Sequence, residues 1–90
     1  MNICVVSTFK GNIEDYMSMM AEFQEEMKEA VEGMDIGVVN TGDDGFCKII
    51  TIANVIDMDK LQEIMGSPKM VEWDTNHNNT DIIYSLEQMN

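Results

Sequence analysis

Arginine is absent from these 90 residues, leucine occurs only twice, and histidine, tryptophan and proline appear once each. Without arginine the chain has no planar fork to hold phosphate or carboxylate bidentately. Five lysines stand against seventeen carboxylates, a net charge of −12, and a field of that sign repels nucleic-acid backbones and anionic lipid headgroups. Neither nucleic acid nor a membrane surface is expected as a partner. No Gly-rich loop opens a helix in the pattern that cradles a nucleotide. No apolar run approaches the roughly 18 residues of a membrane-crossing helix, and no basic segment precedes the first apolar stretch, so the expected location is cytoplasmic. Cys4 and Cys47 lie in separate strand-like runs rather than at C-x-x-C spacing, which predicts free thiols acting as small buried apolar groups. One histidine leaves no cluster of metal ligands. No metal and no cofactor are expected.

What the chain has instead is methionine, ten residues of it. Met is unbranched and polarisable, so an interior built from it is deformable and fills irregular gaps. The length suits a single domain over residues 1–90, and a chain this short buries a modest core of its own.

The order of elements is legible from periodicity. Ile3 to Phe9 is β-branched and nearly continuous in apolar residues, as in a central strand covered on both faces. Asn12 with Asp15 three residues on predicts a helix start, and Ile13, Tyr16, Met17, Met20, Phe23, Met27, Ala30 and Val31 form one apolar stripe of about five turns. Gly33 follows as the expected C-terminal cap. Strands at Ile36–Thr41 and Phe46–Ala53 flank Gly42-Asp43-Asp44-Gly45, a hairpin signal. A second helical region opens at Asp57 and Asp59, breaks at Gly66, and restarts with Ser67 as cap and Pro68 at the first position. Its later stripe is Met70, Trp73 and His77, and Ile82–Leu86 supplies the last strand.

The order βαββαβ predicts an α+β, ferredoxin-like fold: a four-stranded antiparallel sheet in the order 4-1-3-2 with both helical regions on one face. Yet the strands carry apolar groups on both sides, Ile3 and Val5 against Cys4 and Val6, Ile50 and Ile52 against Cys47 and Ile49. The uncovered face therefore predicts a homodimer formed sheet against sheet.

The segment Leu61-Gln62-Glu63-Ile64-Met65-Gly66-Ser67-Pro68-Lys69-Met70, a short helix with a Ser-Pro restart, resembles the dimeric α+β barrel superfamily, which includes antibiotic-biosynthesis-monooxygenase-like, EthD-like and stress-responsive barrel proteins. The resemblance extends over essentially the whole chain. It implies dimerisation through the sheets and a small, often aromatic or lipophilic molecule held between helices and sheet. The superfamily's haem-degrading members place an asparagine on the first strand and a tryptophan on a strand. Here the first strand has Ser7 and Thr8, and the one tryptophan lies on a helix.

The candidate site follows from the topology. The first strand, the hairpin, the start of the first helix and the end of the second helical region meet at one end of the sheet. Tyr16, Met17, Met20, Trp73, His77 and Tyr84 are the expected ligand-binding residues, with Phe9 beside them. His77 is the candidate general acid or base if the site is catalytic. The main expectation is a small-molecule-binding protein whose Met-lined apolar pocket takes a lipophilic, fatty-acid-like ligand. The alternatives are a cofactor-free enzyme of monooxygenase or isomerase type, and a structural dimer without a pocket.

Overall fold

Two residues separate the first strand from the first helix, and each contributes to the break. In the computed structural model, which describes residues 1–39, 45–87 and 89, strand β1 is Ile3–Lys10 and helix α1 is Ile13–Glu22. Gly11 turns the chain at φ +147°, where a Cβ would lie 2.8 Å from Oδ2 of Asp15. Asn12 accepts the Asp15 N–H at 3.0 Å while the Asp15 carboxylate accepts the Asn12 N–H at 3.1 Å, a reciprocal capping box.

The expected five-turn helix is two shorter ones. Phe23 (φ −101°, ψ 5°) interrupts it, and α2 resumes at Gln24–Ala30. The buried face is also set differently from the expected stripe, since Met19 is buried beside Tyr16 whereas Met17 is 49% exposed. Gly33 is not the helix cap. The Ala30 carbonyl accepts the N–H groups of Ile56 and Asp57 at 2.8 and 3.2 Å, so a distant segment satisfies the helix end and no left-handed residue is needed. Strand β2, Val31–Val39, starts directly from it, five residues ahead of the expected Ile36.

Strand β3 is Phe46–Val55 and helix α3 is Met58–Met65, capped by Asp57, whose side chain accepts the Lys60 N–H at 3.0 Å. Helix α4, Pro68–Asn76, restarts as expected, with the Ser67 hydroxyl accepting the Met70 N–H and Pro68 in the first turn. Strand β4 is Thr80–Ser85. Residues 42–44 of the expected hairpin lie outside the described residues.

The four strands are antiparallel in the order β2-β3-β1-β4, the expected order read from its other edge. Ile3, Val5, Ser7 and Phe9 of β1 share a face with Ala53, Thr51, Ile49 and Cys47 of β3 and with Ser85, Ile83 and Asp81 of β4. This is the helix-covered face: Phe9, Ile49 and Ile64 are its fully buried large side chains, and Tyr16, Met19, Phe23, Ala30, Leu61 and Met70 pack around them. The opposite face carries Cys4, Val6, Ile50, Ile52, Ile82 and Tyr84. Extents of 36 × 34 × 17 Å describe a slab one sheet and one helix layer thick, which leaves that second face uncovered.

The register also settles the cysteines. Cys47 pairs with Phe9 and Cys4 with Ile52, so the two lie far apart along the strands and on opposite faces, and both are free. Each is half-buried rather than fully buried as expected.

Candidate functional site

The expected meeting of elements at one end of the sheet is present. The Lys10 N–H donates to the His77 carbonyl at 2.7 Å, and the Gly11 N–H donates to the Gly45 carbonyl at 3.0 Å, tying the end of β1 to the end of α4 and to the chain just before β3. Around that tie the aromatic side chains of Phe9, Tyr16, Trp73 and His77 cluster. Phe9 stacks on Tyr16 at 5.7 Å between centroids, Trp73 meets both edge-on, and the His77 imidazole stacks on Trp73 at 4.1 Å.

Within this cluster the end of α4 holds His77. It caps α4, its N–H donates to the Trp73 carbonyl at 3.0 Å, and its Nδ1 lies 2.9 Å from the same oxygen. A carbonyl only accepts, so Nδ1 carries the proton and donates, which leaves Nε2 without a hydrogen bond among the described residues. Neither His77 nor Trp73 lines the cavity described below. Two further expected site residues are elsewhere. Tyr84 pairs with Cys4 on the uncovered face, 51% exposed, because its position in β4 has the opposite parity to Asp81 and Ile83. Met17 lies outside the inner cavity, on an open groove between α1, α2 and β2.

A cavity of about 60 Å³ does separate the helices from the sheet. Met19, Met20, Met27, Met34, Met65 and Met70 line it together with Ile3, Val5, Val31, Val55 and Leu61. Of the expected residues, Tyr16 and Met20 belong to it. The outer groove, about 440 Å³, shares Met20, Met27, Val31 and Met34 with it, so those side chains form the partition between the two spaces. Flexible thioether chains are suited to moving aside for a ligand that occupies both.

The cavity's other end is polar. Ser7, Tyr16 and Thr51 are buried there, with Asp74, Asn79 and Asp81 beside them. The Ser7 hydroxyl donates to Oδ1 of Asp81 at 2.6 Å. The Asn79 amide nitrogen donates to that same oxygen at 3.0 Å and to Oδ1 of Asp74 at 2.9 Å, which fixes the amide orientation, since the flipped group would turn its oxygen on both carboxylates. Oδ1 of Asn79 is then buried with no hydrogen-bond partner. The Tyr16 hydroxyl and Thr51 Oγ1 lie 3.4 Å apart. Burial pushes the Tyr16 phenol above its ordinary range, with the Asp81 charge adding to that and hydrogen bonds to Thr51 and Ser7 opposing it. Burial likewise pushes the Asp74 carboxyl up, against its Asn79 hydrogen bond, and the Asp81 charge adds to the rise.

Sequence reasoning missed Ser7, Thr51, Asp74, Asn79 and Asp81 as site residues, and two signals for them were available. Asp74 stands one turn after Met70, on the inward face of α4, where an apolar stripe has no use for a carboxylate. Asp81 and Ser7 sit at the inward parity of β4 and β1 and pair directly with each other. Polar groups on a core-facing register need partners.

No protein-family model matches the chain, and no curated protein matches its sequence. Its fold is similar to that of solved structures. A point mutant of SnoaB, a cofactor-independent oxygenase from Streptomyces nogalater, is 14% identical, with a TM-score of 0.58 and a match covering 98% of this chain and 95% of that one. A de novo designed protein, Ferredog-Diesel, is 15% identical with a TM-score of 0.53, covering 93% and 84%. A hydroxynitrile lyase from Passiflora edulis is 10% identical with a TM-score of 0.51, covering 97% and 95%. What the chain shares with these structures is the fold. An oxygenase, a lyase and a designed protein on one fold show that the fold does not carry the chemistry.

Proposed function

We propose that this chain binds a small lipophilic molecule in the methionine-lined cavity, polar end toward Asp81 and apolar body toward Met20 and Met34. The observation that supports it is the composition of the cavity wall: six of the ten methionines line one space that ends in a compact polar group. Apolar walls with a few placed polar groups are the usual build of a small-molecule site. Apolar burial supplies the affinity and the polar end supplies the orientation.

The test is displacement of a fluorescent lipophilic dye by 1-octanol. Met20→Glu places an unpaired carboxylate in the cavity wall and should abolish binding. A Met20→Glu protein that still folds and binds with unchanged affinity would refute the site.

Catalysis on such a molecule is a second reading, and one observation shapes it. The acidic side chains that line the cavity are Tyr16, Asp74 and Asp81, so acid–base work would fall to them and not to His77.

The functional unit we propose is a homodimer with the uncovered sheet faces packed together. On that face Cys4, Val6, Ile50, Ile52, Phe46, Ile82 and Tyr84 are apolar, while Asp35, Lys10 and Lys48 are its charged members away from the irregular end of β2. Among the described residues, few carboxylates of a chain carrying −12 overall thus lie on the surface where two copies would meet.

A further inference from the structure

We infer that the cavity's polar end selects an amine, so that the ligand is a lipophilic primary amine whose ammonium sits among Asp74, Asp81 and Asn79. This rests on the proposed binding role of the cavity and specifies the class of ligand.

Three observations converge on it. First, the site holds acceptors in excess of donors. Both Oδ1 atoms are engaged by the Asn79 amide, with Ser7 adding to Asp81, and among the described residues neither Oδ2 receives a hydrogen bond. Oδ1 of Asn79 is buried and unpartnered. An ammonium brings three donors and no acceptor, which suits a group left with unpaired acceptors and no spare donor. A hydroxyl would satisfy one of them and a carboxylate none.

Second, no lysine compensates the two carboxylates. Lys28, Lys60 and Lys69 pair with Glu25, Glu29 and Glu22. Lys10 and Lys48 stand in register with Phe46 and Thr8, on the other face of the sheet. With arginine absent, no basic side chain pairs with Asp74 or Asp81 among the described residues. Two like charges bridged by one amide repel, and a positive headgroup between them relieves that repulsion while gaining charge-assisted hydrogen bonds.

Third, the surroundings suit an organic cation better than a metal ion. Among the described residues no group of three or more His, Cys, Asp or Glu side chains is placed to hold a metal, and hard cations require six or more oxygens. The remaining wall is methionine and aliphatic carbon, which takes an alkyl or aromatic body. The net charge of the protein also concentrates cations near its surface.

Isothermal titration with n-octylamine, 1-octanol and octanoate separates headgroups on one tail. The amine should bind about tenfold or more tightly than the alcohol, and octanoate should not bind. Asp81→Asn should bring the amine-to-alcohol ratio close to one. Asp74→Asn, which keeps an acceptor for Asn79, should lower the ratio independently and serves where Asp81→Asn fails to fold. Glu14→Gln, on the exposed side of α1, controls for attraction to the acidic surface and should not alter the ratio. Equal binding of amine and alcohol, or a preference that survives both Asp variants, would overturn the amine inference while leaving the lipophilic cavity standing. Absence of binding by all the probes would count against the cavity's binding role and the inference with it.

Discussion

Burial and the charge of Asp81 hold the Asp74 carboxyl above its usual range, so the folded chain keeps that proton to a higher pH than the unfolded chain does. With the folded value raised, the stability linked to this group is fully present below the unfolded value and is lost as pH rises through the folded one. Asp74→Asn should therefore raise the melting temperature near pH 7 and leave it nearly unchanged near pH 3. Thermal melts at the two pH values check this, and an equal shift at both would point to packing rather than charge. His77 carries the opposite expectation. It contributes one ring stacked on Trp73 and one side-chain hydrogen bond, so His77→Ala should cost about 1–2 kcal/mol in urea unfolding. It should leave lipophilic binding intact, because the imidazole does not line the cavity. The sequence made His77 conspicuous by its chemistry alone. The roles of Asp74, Asn79 and Asp81 depend on which atoms face one another across β1, β4 and α4, and spacing along the chain does not encode that.

Local signals identified elements well where the cause was local. The helix start at Asn12 and Asp15, the helical opening at Asp57 and the Ser67-Pro68 restart each lie within one helical turn, and each is present as the sequence predicted. Asn12→Ala should cost about 1 kcal/mol of stability, measured by urea titration, since it removes the acceptor for the Asp15 N–H. The first helix shows where local reasoning ends. Its break at Phe23 places a ring in the core, and its stop at Ala30 depends on the N–H groups of Ile56 and Asp57. Those partners are some 26 residues away in sequence. Gly33, a good cap by composition, falls instead inside an irregular stretch of β2 where the pairing shifts register.

At the scale of the whole molecule, strand parity carried the architecture: runs apolar on both faces in a chain with helices for one face predicted the slab and its open side. The same parity puts Tyr84 on that open side, which is the step the candidate-site reading lacked. If the open faces pack together, sedimentation at micromolar concentration should show twice the chain mass of 10.2 kDa. Two bodies of charge −12 repel, so raising the salt should tighten the dimer by screening, and dissociation in salt would mean that the contact is ionic and not the apolar sheet face.

The cavity-lining methionines would report a bound ligand most directly. In a protein labelled with ¹³C at its methionine methyls, titration with 1-octanol or n-octylamine should shift the resonances of Met19, Met20, Met27, Met34, Met65 and Met70, which line the cavity. Met58 and Met89, both exposed and not part of its wall, should stay in place. Shifts confined to those exposed methyls, or no saturable shift at all, would contradict a ligand site between the helices and the sheet.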